Sequence, residues 1–210
     1  MSERLSISVI QVGPIGTNCY ILRDGAEGKE AVLVDPGDQP KRIMGALESL
    51  NAVPSAILLT HAHFDHVLGV NGIIEKYPDV KVYIAATERR MVEDFDLNEG
   101  FLRKGYVLTP DIYVQEGDVL ELAGHRFEVL LTPGHTAGSC CYYEKESGSL
   151  FAGDTLFLES YGRTDFPTGS YEQIMASLKR LLTTLPEETD VYPGHGPQTT
   201  IGHEKMVEGF

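Results

Sequence analysis

Six consecutive residues, His61-Ala62-His63-Phe64-Asp65-His66, restrict this chain more than any other feature. The chain holds 7 histidines in 210 residues, and three of them fall in this run with a carboxylate between them. The run follows the apolar segment AILL at 56–59. In an extended segment successive side chains alternate, so His61 and His63 share a side and can hold one ion. If the chain then turns, Asp65 and His66 face elsewhere and can hold a second. Imidazole and carboxylate are the natural ligands of first-row metals where thiolates are absent.

Three further segments repeat one pattern. His135 follows LLTPG at 130–134, Asp154 follows LFAG at 150–153, and His195 follows VYPG at 191–194. Each is a short apolar run, then glycine, then a metal-capable side chain. That order suits a site at one edge of a sheet, where strands end together and glycine lets backbones come close. With His61, His63, Asp65 and His66 the set numbers seven side chains. A catalytic zinc needs about three protein ligands and an open position, whereas a closed structural zinc is complete with four. Seven, with Asp154 shared, provide for two ions. Two divalent ions, two aspartates and a shared hydroxide leave one net positive charge, which favours an anionic substrate. The remaining histidines, His125 between Gly124 and Arg126 and His203 in the polar 202–205 segment, read as solvated surface residues.

Composition narrows the partners. There are 17 basic against 31 acidic residues, a formal charge of −14. Affinity for nucleic acid comes from Lys and Arg, so this balance argues against it. Hydrophobic residues at 42% suffice for a packed core. The cysteines Cys19, Cys140 and Cys141 form neither a disulfide framework nor a C-x-x-C pair, and read as buried reduced thiols. The start, MSERLSISVIQ, lacks the apolar core of a secretory signal, and no apolar run approaches the roughly 20 residues that span a bilayer. The expectation is a soluble cytoplasmic chain, with no membrane or nucleic-acid partner, folded as one domain over residues 1–210.

Short apolar runs at 31–34, 56–59, 80–84, 119–122, 127–131, 140–143, 150–152 and 191–192 read as strands. Helical stripes divide them. Ile43, Met44, Leu47 and Leu50 follow an Asp38 cap with Pro40 in the first turn, and Val70, Ile73, Ile74 and Tyr77 form a second stripe. Ser170 to Gln173 is a capping box ahead of Ile174, Met175, Leu178, Leu181, Leu182 and Leu185, closed by Pro186. The stretch 93–110 lacks periodicity and carries Phe95, Gly100, Phe101, Gly105 and Tyr106, so it reads as either a lid or an ordinary excursion with a short helix. The layered α/β pattern, with an extended N-terminal segment and strands paired by short turns, argues against a purely parallel sheet.

The H-x-H-x-D-H signature, with the later G-H-T, G-D and G-H elements, resembles the metallo-β-lactamase superfamily over nearly the whole chain. The resemblance implies a four-layer αβ/βα sandwich with the metal site at one edge between two sheets. It implies one ion on His61, His63 and His135, a second on Asp65, His66 and His195, and Asp154 bridging, with Asp65 and Asp154 serving catalysis. Zinc is the metal such sites favour, with iron and manganese as alternatives.

Within that superfamily, TPGHTAGS from Thr132, YGRTDFP from Tyr161 and PGHGPQTTI from Pro193 resemble the short glyoxalase II-like hydrolases. This implies hydrolysis of a small anionic thioester, such as an S-2-hydroxyacyl thiol ester, by a hydroxide shared between the ions. The chain ends about fifteen residues beyond His195, so the C-terminal glutathione-binding helical domain of full-length glyoxalase II is not expected. Arg163 matches a basic residue that contacts a substrate carboxylate there, while a salt bridge with Asp165 accounts for it equally well. Two other activities share the pattern. One is a mononuclear iron persulfide dioxygenase using only His61, His135 and Asp154, and the other is a lactonase on the same metals.

Overall fold

The computed structural model describes residues 4–94, 97 and 106–208. In chain order the strands are β1 (Leu5–Val12), β2 (Thr17–Asp24), β3 (Glu30–Val34), β4 (Val53–Leu59), β5 (Lys81–Ala85), β6 (Ile112–Val114), β7 (Val119–Leu122), β8 (His125–Leu131), β9 (Cys140–Glu144), β10 (Ser149–Gly153), β11 (Leu156–Phe157), β12 (Ser160–Tyr161), β13 (Asp190–Pro193) and β14 (Thr199–Thr200). The helices are α1 (Pro40–Ser49), α2 (Phe64–Val67), α3 (Val70–Lys76), α4 (Arg89–Glu93), α5 (Tyr171–Thr184) and α6 (Ile201–Glu208).

The first sheet has the order β1-β2-β3-β4-β5-β6, and the second β14-β13-β10-β9-β8-β7. Both are mixed. Strands β1 to β3 pair antiparallel and β3 to β6 parallel, while in the second sheet only β10 and β13 run parallel.

Three apolar layers hold four layers of structure together. Between the sheets, Leu22, Val32, Val34 and Leu58 meet Phe127, Val129, Tyr142 and Phe151. Outside the first sheet, Ile43 and Leu47 of α1 and Val70 and Ile73 of α3 cover Ile21, Leu33, Ile57 and Leu59. Outside the second, Ile174, Leu178, Leu181 and Leu182 of α5 and Ile201 of α6 cover Cys141, Leu150 and Val191. A strand covered on both faces must be apolar at every position rather than at alternate ones. That is why β9 and β10 are continuous buried runs, with Cys140 and Tyr142 facing the central layer and Cys141 and Tyr143 the outer one. All three cysteines are buried free thiols, and burial pushes each above the ordinary thiol value. No helix among the described residues is long and apolar enough to cross a membrane.

Local chemistry sets the boundaries and corrects three expectations. Ser170 caps α5 as the sequence suggests, its Oγ accepting from Gln173 N at 3.3 Å. At α1 the cap is Gln39, in the left-handed region at φ 50°, rather than Asp38. A residue before proline is held out of the helical region, so the helix cannot extend back past Pro40. Asp38 instead accepts the Gln39 N–H at 2.7 Å. His125 is buried, not a surface turn residue. The turn is completed by Ala123 and Gly124, both at positive φ, so His125 already belongs to β8. It lies inside, 3.5 Å from Asp24 and 3.7 Å from Glu144.

The 202–205 segment is helical within α6, not a tail. Its Glu204 is buried, receiving Glu159 N at 2.9 Å and Thr199 Oγ1 at 2.5 Å, while His203 remains partly exposed beside Glu159. Of the stretch 93–110, Tyr106 donates its hydroxyl to Val67 O. Phe95, Gly100, Phe101 and Gly105 lie outside the described residues, and so does the lid expectation.

Candidate metal centre

The site assembles where strands of both sheets end. His61 and His63 follow the end of β4, and the chain then turns into α2, which carries Asp65 and His66. His135 follows β8, Asp154 follows β10 and His195 follows β13. Strands β10 and β13 are parallel neighbours, so Asp154 and His195 emerge side by side. Gly194 is what lets them approach. A Cβ there would sit 2.2 Å from Asp154 Oδ1 and 2.7 Å from His66 Cε1.

Two of the three clusters of possible donors are built from the residues singled out in the sequence, His61 with His63 and His135, and Asp65 with His66 and His195; the third joins Asp35 to His61 and His66. Within each group one donor atom per residue lies within 4.8 Å of the others. In the first, His63 Nδ1 stands 2.9 Å from His135 Nε2. In the second, Asp65 Oδ2 is 3.1 Å from His195 Nε2 and 3.3 Å from His66 Nε2. Asp154 reaches both. Its Oδ2 is 3.6 Å from His135 Nε2 and 3.5 Å from His195 Nε2, and its Oδ1 is 3.4 Å from His66 Nε2. All seven residues singled out in the sequence are therefore brought together.

Residues outside the seven orient them. Asp35, at the end of β3, is buried and accepts three hydrogen bonds, from Thr60 N (2.8 Å), Thr60 Oγ1 (2.6 Å) and His66 Nδ1 (2.8 Å). Because the Thr60 hydroxyl donates to Asp35, it accepts from His61 Nδ1 at 3.0 Å. His135 Nδ1 donates to the Arg163 carbonyl at 2.8 Å. His61, His66 and His135 thus carry their protons on Nδ1 and turn an Nε2 lone pair toward the centre, the supported arrangement that metal-ligating histidines require, whereas His63 presents its Nδ1 to His135. Thr17 donates to Asp65 Oδ2 at 2.8 Å.

The donors fit a pair of cations. His61 Nε2, His63 Nε2, His66 Nε2 and Asp154 Oδ1 are buried without a hydrogen-bond partner, a costly state unless something binds them. Burial and neighbouring imidazoles push His61 down, and burial pushes His135 down and His63 to about 3, so these three are neutral lone-pair donors. Burial also opposes charge in the second group, yet attraction wins there. His66 and His195 hold Asp65 well below the carboxylate range, and His66 lowers Asp154. In return Asp65, Asp154 and Asp35 raise His66 well above 6.5, and Asp65 raises His195. A carboxylate field that draws a proton so strongly is one that a divalent cation neutralises.

Arg163 makes the salt bridge with Asp165 that its sequence context also allowed. Its guanidinium makes a bidentate pair with Asp165, both contacts at 2.7 Å, and lies 4.1 Å over the Phe166 ring. Phe166 packs on His63 at 5.3 Å and Phe157 on His195 at 6.3 Å, between ring centres. Sequence reasoning missed Asp35, Thr60 and Thr17. The DPG at 35–37 after a buried strand was legible only as a turn, and a threonine before a ligand histidine carries no signal of its own.

Residues 12–195 match the family model for the metallo-beta-lactamase superfamily. The chain is 38% identical to the probable metallo-hydrolase YqgX of Bacillus subtilis (strain 168), over 95% of this chain and 94% of that protein. It is 35% identical to the hydroxyacylglutathione hydrolase GloC of Haemophilus influenzae, over 98% of each. Among solved structures, BLEG-1 B3 metallo-beta-lactamase superposes with a TM-score of 0.88 at 38% identity, covering 96% of this chain and 97% of that one. TTHA1623 in a di-iron-bound form gives 0.83 at 39% identity, covering 95% and 98%.

Proposed function

The chain belongs to the metallo-beta-lactamase superfamily, and from that footing we propose that it is a dinuclear metal-dependent hydrolase of small anionic thioesters. The observation that carries the reading is the placement of Asp154, within 3.6 Å of His135 on one side and 3.4 Å of His66 on the other. One carboxylate reaching donors of both groups is what a pair of adjacent cations needs. His61, His63 and His135 would hold one ion, Asp65, His66 and His195 the other, with Asp154 between them. Zinc, iron and manganese all accept this imidazole and carboxylate set.

Bound ions supply an acidified water as nucleophile at neutral pH and a Lewis acid for the scissile carbonyl. The chain supplies the rest. His66 and His195 keep the Asp65 carboxylate ionised and Thr17 holds it in place, so that it can orient the attacking water. His195, 25% exposed against 3% or less for His61, His63, His66 and His135, marks the face from which a substrate arrives. Phe157 and Phe166 shield the histidine rings from water. A thiolate leaves without a strong general acid, which suits a site whose described acids are ionised. The relative named hydroxyacylglutathione hydrolase, matched end to end, supports the thioester over other acyl groups. The paired state of Arg163 counts against a dominant role for it in holding a glutathione-type carboxylate.

The test is a substrate panel on metal-loaded protein, comprising an S-2-hydroxyacyl thioester, a lactone and a β-lactam. The reading expects the thioester to be turned over with the highest kcat/KM. A lactone preferred over every thioester would reassign the same machinery.

A further inference from the structure

The short helical turn 86–88 ends in Glu88, a glutamate with no solvent exposure whose hydrogen-bond donors belong to none of the seven side chains. Its Oε1 accepts from Ala62 N at 3.0 Å, and Ala62 is the residue between His61 and His63. Its Oε2 accepts from Thr136 Oγ1 at 3.1 Å, next to His135, and the carboxylate also receives the Gly138 N–H. One buried carboxylate therefore ties the two segments that carry the three-histidine group. Gly138 is shaped for this approach, since a Cβ there would lie 2.4 Å from Glu88 Oε2. Ser139 completes the turn, its Oγ 2.7 Å from Thr136 Oγ1 and 3.1 Å from Thr136 N.

We propose that Glu88 is the positioning residue of the three-histidine half-site, setting the affinity of the ion held by His61, His63 and His135 by fixing their two segments at the right separation. This rests on the metal reading above for the identity of the ligands. The logic is one of donors and acceptors. Both carboxylate oxygens accept, and two of their donors are main-chain N–H groups that cannot turn away. Glu88→Gln keeps size and shape but replaces one acceptor with a donor. Whichever way the amide is turned, the N–H of Ala62 or that of Gly138 then meets another donor, and one segment lets go. The fold keeps another tie between the same regions, since Cys140 N donates to Thr60 O at 2.9 Å. The loss thus falls on ligand placement. The half-site of Asp65, His66 and His195 is supported instead by Asp35 on His66 and Thr17 on Asp65.

The test titrates Zn(II) into metal-stripped full-length protein against a chromophoric competing chelator, for the native chain, Glu88→Gln, Thr136→Val and His135→Ala. The binding step that His135→Ala abolishes is assigned to the three-histidine group. Glu88→Gln is expected to weaken that step by roughly 10- to 100-fold, the usual range for an outer-sphere partner, and to leave the other within about threefold. Thr136→Val, which removes one of the three donors, weakens the same step by a smaller factor, and it decides the matter if Glu88→Gln does not fold. Equal weakening of both steps would mean that Glu88 only stabilises the fold. Unchanged affinities would overturn the proposal while leaving the two-ion reading intact. A native chain that binds a single ion, weakened by Glu88→Gln, would sink the two-ion reading and leave the role of Glu88 standing.

Discussion

Replacing Asp35 by Asn tests the orientation of the histidines most sharply. The Asp35 carboxylate accepts from Thr60 N on Oδ1 and from Thr60 Oγ1 and His66 Nδ1 on Oδ2. Asparagine is isosteric, and its oxygen can still serve Thr60 N. Its amide nitrogen then faces His66 Nδ1 and Thr60 Oγ1 as a donor. The Thr60 hydroxyl must turn to accept, so it donates to His61 Nδ1, and His66 loses its acceptor. Both rings are driven to carry the proton on Nε2, the atom that would face an ion. Restoring the metal-ready tautomers forfeits a charge-assisted hydrogen bond of about 1.5–3 kcal/mol, which matches a roughly 10- to 100-fold loss in metal affinity. His61 belongs to one group and His66 to the other, so both binding steps should weaken, unlike the selective effect of Glu88→Gln. Chelator competition reads the affinities, and nitrogen chemical shifts of the imidazoles in the metal-stripped protein read the tautomers. Unchanged tautomers with affinities within about threefold would refute the reasoning.

Other consequences are simpler to check. Leu178→Ala removes a side chain with no exposure between α5 and the second sheet and should cost about 2–5 kcal/mol in denaturant unfolding, whereas a cost near zero would mean the layer repacks. Burial pushes Glu88 up to about 7 from 4.5, so its contribution to stability is fully present below pH 4.5 and is lost as pH rises through 7. The stability of the metal-stripped chain relative to Glu88→Gln should therefore fall by about 2–3 kcal/mol between pH 5 and 8, and a rise over that window would contradict the sign. Arg163→Ala should leave KM for a carboxylate-bearing thioester nearly unchanged, because its guanidinium is already paired with Asp165. A large rise in KM alone would show that the substrate displaces that pairing.

Much of this architecture could be read from the chain because its signals are local. Short apolar runs that end in glycine ahead of His135, Asp154 and His195, and the AILL run ahead of His61 and His63, are strand ends that carry ligands. The Ser170 cap and the leucine stripe behind it are equally local. What stayed hidden depends on partners distant in sequence. Asp35 reads as a turn residue until Thr60 and His66 are placed against it, and Glu88 shows no pattern until Ala62 and Thr136 close on it. His125 misled because a turn signal and the first inward residue of a strand lie side by side, with one position deciding between solvent and core.

The central claim is that seven side chains hold two ions with Asp154 shared. The direct measurement is metal content per chain, by elemental analysis of protein purified without chelator or added metal, for the native chain and for Asp154→Ala. The account predicts two ions per native chain, in any mixture of zinc, iron and manganese, and a clear loss in the variant. One iron per chain with no second ion taken up, or an Asp154→Ala protein that keeps both metal and activity, would contradict it.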